Sequence, residues 1–157
     1  MDPQLLIGFL LTLAPITELR AGLPLIVDYC LKNGISVWPY FLLVLILNIF
    51  VIFLVFLFLD FVHELLMRWG FYRRVIEKVL KRVQKKVDKI EGSNFVFVAL
   101  MLLVAVPLPG TGAWTGTLVA WMAGLNRWKS FLAISAGVII AGVLILFASL
   151  GLLGWFY

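Results

Sequence analysis

Residues 15–24, PITELRAGLP, set one acidic and one basic side chain, Glu18 and Arg20, between two apolar stretches, with a proline at each end. The flanks are MDPQLLIGFLLTLA before and LIVDYCL after. Neither flank alone reaches the ~20 apolar residues that a helix needs to cross a bilayer. An ionisable pair is costly to place in lipid, so this break is the first candidate for a functional site.

The chain around it has 157 residues, 64% hydrophobic and 13% charged. Soluble domains run near half apolar and a quarter charged, so the composition reads as an integral membrane protein. The length suits one small membrane domain over 1–157, with no separate soluble enzyme domain. MDPQ lacks a positive n-region, and no small-residue cleavage site follows, so no signal peptide is expected. Cys30 is the one cysteine and stands among apolar residues, which predicts a buried thiol with no intrachain disulfide. No CxxC, HExxH, Walker or GxGxxG pattern occurs, so no catalytic residue, metal or cofactor is expected.

Two segments are long enough to span a bilayer, 39–60 and 129–150. The stretches beside them are broken: 3–31 at PITELRAGLP, and 95–125 at PLPGTGAWTG (107–116). Two prolines and three glycines within those ten residues oppose one continuous helix, and each stretch is read as a re-entrant hairpin of two half-helices. Irregular backbone at membrane depth needs cover from protein or a water-filled cavity. Pro15 and Gly22 match Pro109 and Gly116 in offset, and Trp38-Pro-Tyr-Phe41 matches Trp128-Lys-Ser-Phe131. Each half therefore reads as hairpin, short loop with a tryptophan, then a full span.

Between the halves, residues 61–93 hold nine of the thirteen Lys and Arg. Apolar residues recur every three or four positions from Leu65 and Trp69 to Val87 and Ile90, which predicts an amphipathic helix. Its basic face, with Arg73, Arg74, Lys78, Lys81, Arg82, Lys85 and Lys86, is suited to anionic lipid headgroups, not nucleic acid. With Arg127 and Lys129, eleven of thirteen cations lie near one membrane face, which the positive-inside rule assigns to the cytoplasm. The first hairpin then enters from outside and the second from the cytoplasm. The fold class expected is an all-α integral membrane protein of the cell membrane, an inverted repeat of re-entrant helical hairpin plus transmembrane helix, with a cytoplasmic amphipathic helix between the repeats. Transporters place substrate at the midplane between such repeats.

Glu18 and Arg20, two residues apart, face nearly opposite sides of a helix and need not pair with each other. At the start of a half-helix, backbone N–H groups and the helix dipole favour an anion. Arg20 adds a fork of donors suited to phosphate or carboxylate, and Glu18 could exchange a proton during transport. The second tip has no ionisable group but offers backbone N–H groups, flexible Gly110 and Gly112, and the hydroxyls of Thr111 and Thr115. Thr17, beside Glu18, and Asn48, mid-span, complete the expected substrate- or ion-binding set; such amides also bridge helices. Asp60, His63 and Glu64 share a helical face at the end of the first span, where polar residues are ordinary. Asp28 and Lys32 mark the outer interface.

PITELRAGLP and VPLPGTGAWTG (106–116) together resemble the small multi-drug export protein family over most of the chain. That family is in turn similar, at a distance, to the DedA or VTT membrane proteins. The resemblance implies paired re-entrant hairpins, movement of lipids including polyprenyl-phosphate carriers, and coupling to protons or sodium. It matches Glu18 and Arg20 to the charged first hairpin of those proteins; the second hairpin here lacks the basic residue that DedA proteins carry.

The leading expectation is a translocase of an amphiphile, with an anionic head near Arg20. The alternatives are a proton-coupled small multidrug exporter using Glu18, and a non-transporting scaffold using the basic helix. An enzyme is not expected. Membrane lipids and an amphiphilic or small-molecule substrate are the expected partners, and the small perimeter predicts a homodimer.

Overall fold

Proline, glycine and polar caps cut the apolar sequence into helices. The computed structural model describes residues 2–68, 81, 95–108 and 110–155. Helix α1 (Pro3–Leu13) opens with the Asp2 carboxylate accepting from the Gln4 N–H at 3.0 Å and with Pro3 in its first turn. It stops at Ala14, whose extended backbone precedes Pro15. Helix α2 (Glu18–Lys32) carries Pro24 inside it. Proline has no N–H to give the Arg20 carbonyl, so the first turn of α2 is loosened where its charged residues stand. Helix α3 (Trp38–Leu66) follows a short loop. Helices α4 (Phe95–Ala105) and α5 (Ala113–Met122) flank the glycine-rich break, and α6 (Arg127–Leu153) starts where Asn126 caps the Lys129 N–H at 3.1 Å.

Helices stop after Leu13 and after Ala105, while α3 and α6 run without a break. The segment read as a span over 39–60 lies in α3, which runs on to Leu66; most of the basic segment 61–93 lies outside the described residues. Of the expected headgroup contacts, Arg73, Arg74, Lys78, Arg82, Lys85 and Lys86 lie outside the described residues; Lys81 is helical and exposed. The break placed at 107–116 is narrower, because residues 113–116 are already helical.

Helices α3 and α6 are long and apolar enough to cross a membrane. At 1.5 Å per residue each runs about 40 Å, against a hydrocarbon core of ~30 Å. Helices α1, α4 and α5 run only about 15–17 Å by the same rise.

Packing couples the halves. Helix α1 lies along α2, and α4 lies along α6 more than along α5. Each long helix also bears on the second arm of the other half's hairpin, α3 on α5 and α6 on α2. Leu23, Ile26, Val27 and Cys30 of α2, Val44 and Ile52 of α3, and Ile134 and Val138 of α6 are sealed in the shared core. Cys30 is the buried thiol expected. At Gly22 the backbones of α1 and α2 nearly touch: a Cβ there would lie 2.5 Å from the Gly8 carbonyl oxygen. Gly116 plays a different part, with α5 close against Val104 and Ile134.

The two tryptophan motifs adopt one geometry. Trp38 meets Phe41 edge-on at 6.3 Å, and Trp128 meets Phe131 edge-on at 5.9 Å. At the start of α3 lies the open end of the first hairpin, where Gln4 and Lys32 both donate to Asp28, at 2.9 and 2.6 Å. At the end of α3 lies the open end of the second, where Trp121 and Arg127 donate to Asp60. Between these ends the tips of the hairpins touch.

Candidate functional site: the contact between the two tips

The first tip is the turn at residues 14–17. The Thr17 hydroxyl donates back to the Leu11 carbonyl at 2.7 Å, and the Glu18 N–H donates to the Ala14 carbonyl at 3.0 Å. This tight turn drives Glu18 into left-handed backbone, φ 47°. For an L-residue with a Cβ that conformation costs roughly 1–2 kcal/mol, so surrounding contacts must hold it.

Those contacts come from the second tip. The Glu18 side chain is 4% exposed, and its two oxygens accept from the backbone N–H groups of Ala113 and Trp114, each at 3.1 Å. These are the first two residues of α5, whose N-cap Gly112 has no side chain to offer. Glu18 thus caps α5 from across the molecule, and its charge faces the positive end of that helix dipole. Gly112 makes room for it: a Cβ there would fall on the Glu18 carboxyl group.

Arg20 takes the other side of the break. Its guanidinium donates to the Leu108 carbonyl, to the Val106 carbonyl at 3.3 Å and to the Thr111 hydroxyl at 3.1 Å. Val106 and Leu108 follow the last turn of α4, so the cation meets the negative end of a helix. The Thr111 hydroxyl lies 2.9 and 3.0 Å from the same two carbonyl oxygens. Gly110 turns the chain with φ 79°, a conformation glycine adopts without strain, and the Thr115 hydroxyl donates to its carbonyl at 2.6 Å. The E-L-R order therefore matches the polarity of the second break: carboxylate on its positive lip, guanidinium on its negative lip.

Of the residues expected in the site, Glu18, Arg20, Thr111 and Gly112 are in direct contact, with Gly110, Thr115 and Thr17 shaping the two turns. Asn48 stands apart. It is fully buried in α3, donates to the Val44 carbonyl of its own helix at 3.2 Å, and makes no bridge to another helix among the described residues. Asp60 and His63 hold no metal-type cluster among the described residues; Asp60 is bound by Arg127 and Trp121, and His63 meets Trp121 edge-on at 5.1 Å. Trp114 was not expected in the site. Besides its backbone contact with Glu18, its indole N–H donates to the Leu13 carbonyl at 3.3 Å and ties α5 to the end of α1. Its place inside the GAWTG run was the available signal.

Two long apolar helices joined to a buried, charged contact between broken hairpins define a helical membrane protein. A family model described as "Putative small multi-drug export protein" matches residues 18–144, and the chain belongs to that family. The match begins at Glu18, directly after the first turn, and takes in the second tip, so the protein is grouped with transporters that export small molecules. No curated protein and no solved structure matches it.

Proposed function

We propose that the protein exports an amphiphilic small molecule across the cell membrane and that Glu18 is a proton-responsive latch between two opposed re-entrant hairpins. The observation that carries the proposal is the buried Glu18 carboxylate spanning the tips, whose hydrogen bonds among the described residues are to two backbone N–H groups. A proton on the carboxyl removes the anion from the end of α5 and replaces an acceptor with a donor facing donors. The left-handed backbone at Glu18 adds a stored bias towards release. The tips part, substrate passes, and loss of the proton closes them.

Opposed hairpin ends at the start and finish of α3 support an inverted arrangement, with the contact between tips at mid-membrane and residues 61–93 on the cytoplasmic side. A homodimer would cover the short half-helices from lipid.

The geometry favours this reading over an anionic lipid or polyprenyl-phosphate head bound by Arg20, because both terminal nitrogens of Arg20 are committed to Val106, Leu108 and Thr111. The test is transport in proteoliposomes with two fluorescent probes, ethidium (cationic) and anilinonaphthalene sulfonate (anionic). Glu18→Gln should abolish gradient-driven movement while the protein remains folded. Full activity in Glu18→Gln removes the proposal, and selective loss of the anionic probe in Arg20→Ala restores the anion reading.

A further inference from the structure

Apart from the tips, none of whose residues line it, an open groove of about 630 Å³ is enclosed by α3 and the start of α6. That volume lies within the ~300–1,000 Å³ of small-molecule sites. The groove wall is aromatic, with Phe50, Phe53, Phe56, Trp128 and Phe131, and the Phe50 and Phe53 rings stack 6.5 Å apart. Phe50 and Phe53 are half exposed on the outer surface, so the groove is reachable from lipid. Among the described residues, the charged groups in its lining are Asp60 and Arg127.

Arg127 already sits there as a ligand would. Its guanidinium gives Asp60 two hydrogen bonds, at 2.7 and 2.9 Å, and lies 5.9 Å from the centroid of the Phe56 ring. A carboxylate beside an aromatic face is a seat for an organic cation. The Arg127 side chain is 64% exposed, so it can leave for water at the cost of a surface ion pair, about 0–1 kcal/mol. Asp60 would not be stranded, because the Trp121 indole N–H holds it from the other side at 2.9 Å.

We propose that this groove binds a lipophilic organic cation, seated on Asp60 and Phe56 in place of the Arg127 guanidinium, with its apolar body along Phe50 and Phe53. Charge complementarity selects the cation. An anion would approach an arginine whose two terminal nitrogens are engaged and would meet the Asp60 carboxylate beside it. The inference deepens the exporter reading by naming its substrate class. It does not depend on Glu18.

Equilibrium binding to the purified full-length protein in lipid nanodiscs tests it, using tetraphenylphosphonium and its anionic isostere tetraphenylborate, each against empty nanodiscs. The phosphonium should bind in excess of the empty discs and the borate should not. Arg127→Ala, which removes the tethered competitor, should tighten phosphonium binding about three- to tenfold. Asp60→Asn should weaken it about tenfold or more, and Phe53→Ala, a truncation at an exposed ring, should weaken it with the thermal unfolding profile unchanged. The proposal is overturned if borate binds as well as phosphonium, if Arg127→Ala weakens phosphonium binding, or if Phe53→Ala leaves it unchanged. Cation binding that persists while transport fails counts against the exporter reading alone; transport without groove binding counts against the groove.

Discussion

Replacing Gly112 by alanine asks whether the carboxylate of Glu18 holds the two halves together. Gly112 has φ −164°, extended backbone that alanine adopts freely, so the substitution adds no torsional strain. Its one added methyl group lands on the Glu18 carboxyl. The carboxylate must leave the Ala113 and Trp114 N–H groups, and hydrogen bonds to a charged partner contribute about 1.5–3 kcal/mol each. Against this stands a gain of at most ~1 kcal/mol from a stiffer unfolded chain, plus partial resolvation of the displaced group. A net loss of about 3 kcal/mol is expected, and at ~2–4 °C per kcal/mol for a chain of this size Tm should fall by roughly 6–12 °C. Intrinsic tryptophan fluorescence during thermal unfolding in nanodiscs reads this, with Gly151→Ala as control, since a Cβ at Gly151 meets open space. In a Glu18→Ala background the same Gly112→Ala change should cost under ~1 kcal/mol, because the obstructed group is gone. Equal losses in both backgrounds would refute the reasoning, as would an unchanged Tm for Gly112→Ala alone.

Arg20→Lys keeps the charge but loses the planar fork that reaches Val106, Leu108 and Thr111 together, so amide hydrogen exchange in residues 106–112 should speed up at least tenfold. Gly22→Ala should destabilise by about 1–3 kcal/mol in thermal unfolding, since its methyl would press on the Gly8 carbonyl and the Thr12 backbone, neither of which can turn aside. Cys30, fully buried, should resist a membrane-permeant maleimide in the native protein and react once unfolded, as followed by intact mass.

Much of this architecture is written in local signals. Pro15 and Pro107 end helices because the residue before proline leaves helical backbone, and the uninterrupted apolar runs of α3 and α6 have no such stop. Two charges inside an apolar stretch marked the site. Their partners were not legible, because Glu18 reaches Ala113 and Trp114 across some ninety-five residues and bonds to main-chain N–H groups, which every sequence position carries. The left-handed Glu18 was hidden for a related reason: glutamate, unlike asparagine or aspartate, gives no local sign of φ above zero, and the tight Thr17 turn imposes it. Glycine was ambiguous in the second break. Gly110 turns the chain, whereas Gly116 lies inside α5 and serves close packing. Asn48 invited a bridge between helices, yet its amide reaches back to Val44 one turn earlier, an option any mid-helix asparagine has.

The central claim is that the charge on Glu18 decides whether the tips hold. The amide resonances of Ala113 and Trp114, recorded in isotope-labelled protein in nanodiscs across a pH titration, observe the two bonds themselves. The account predicts that both amides move together in a single titration step and that Glu18→Gln fixes them at the acid-end position at every pH. Amides that do not titrate in the wild-type protein, or that titrate identically in Glu18→Gln, would contradict it.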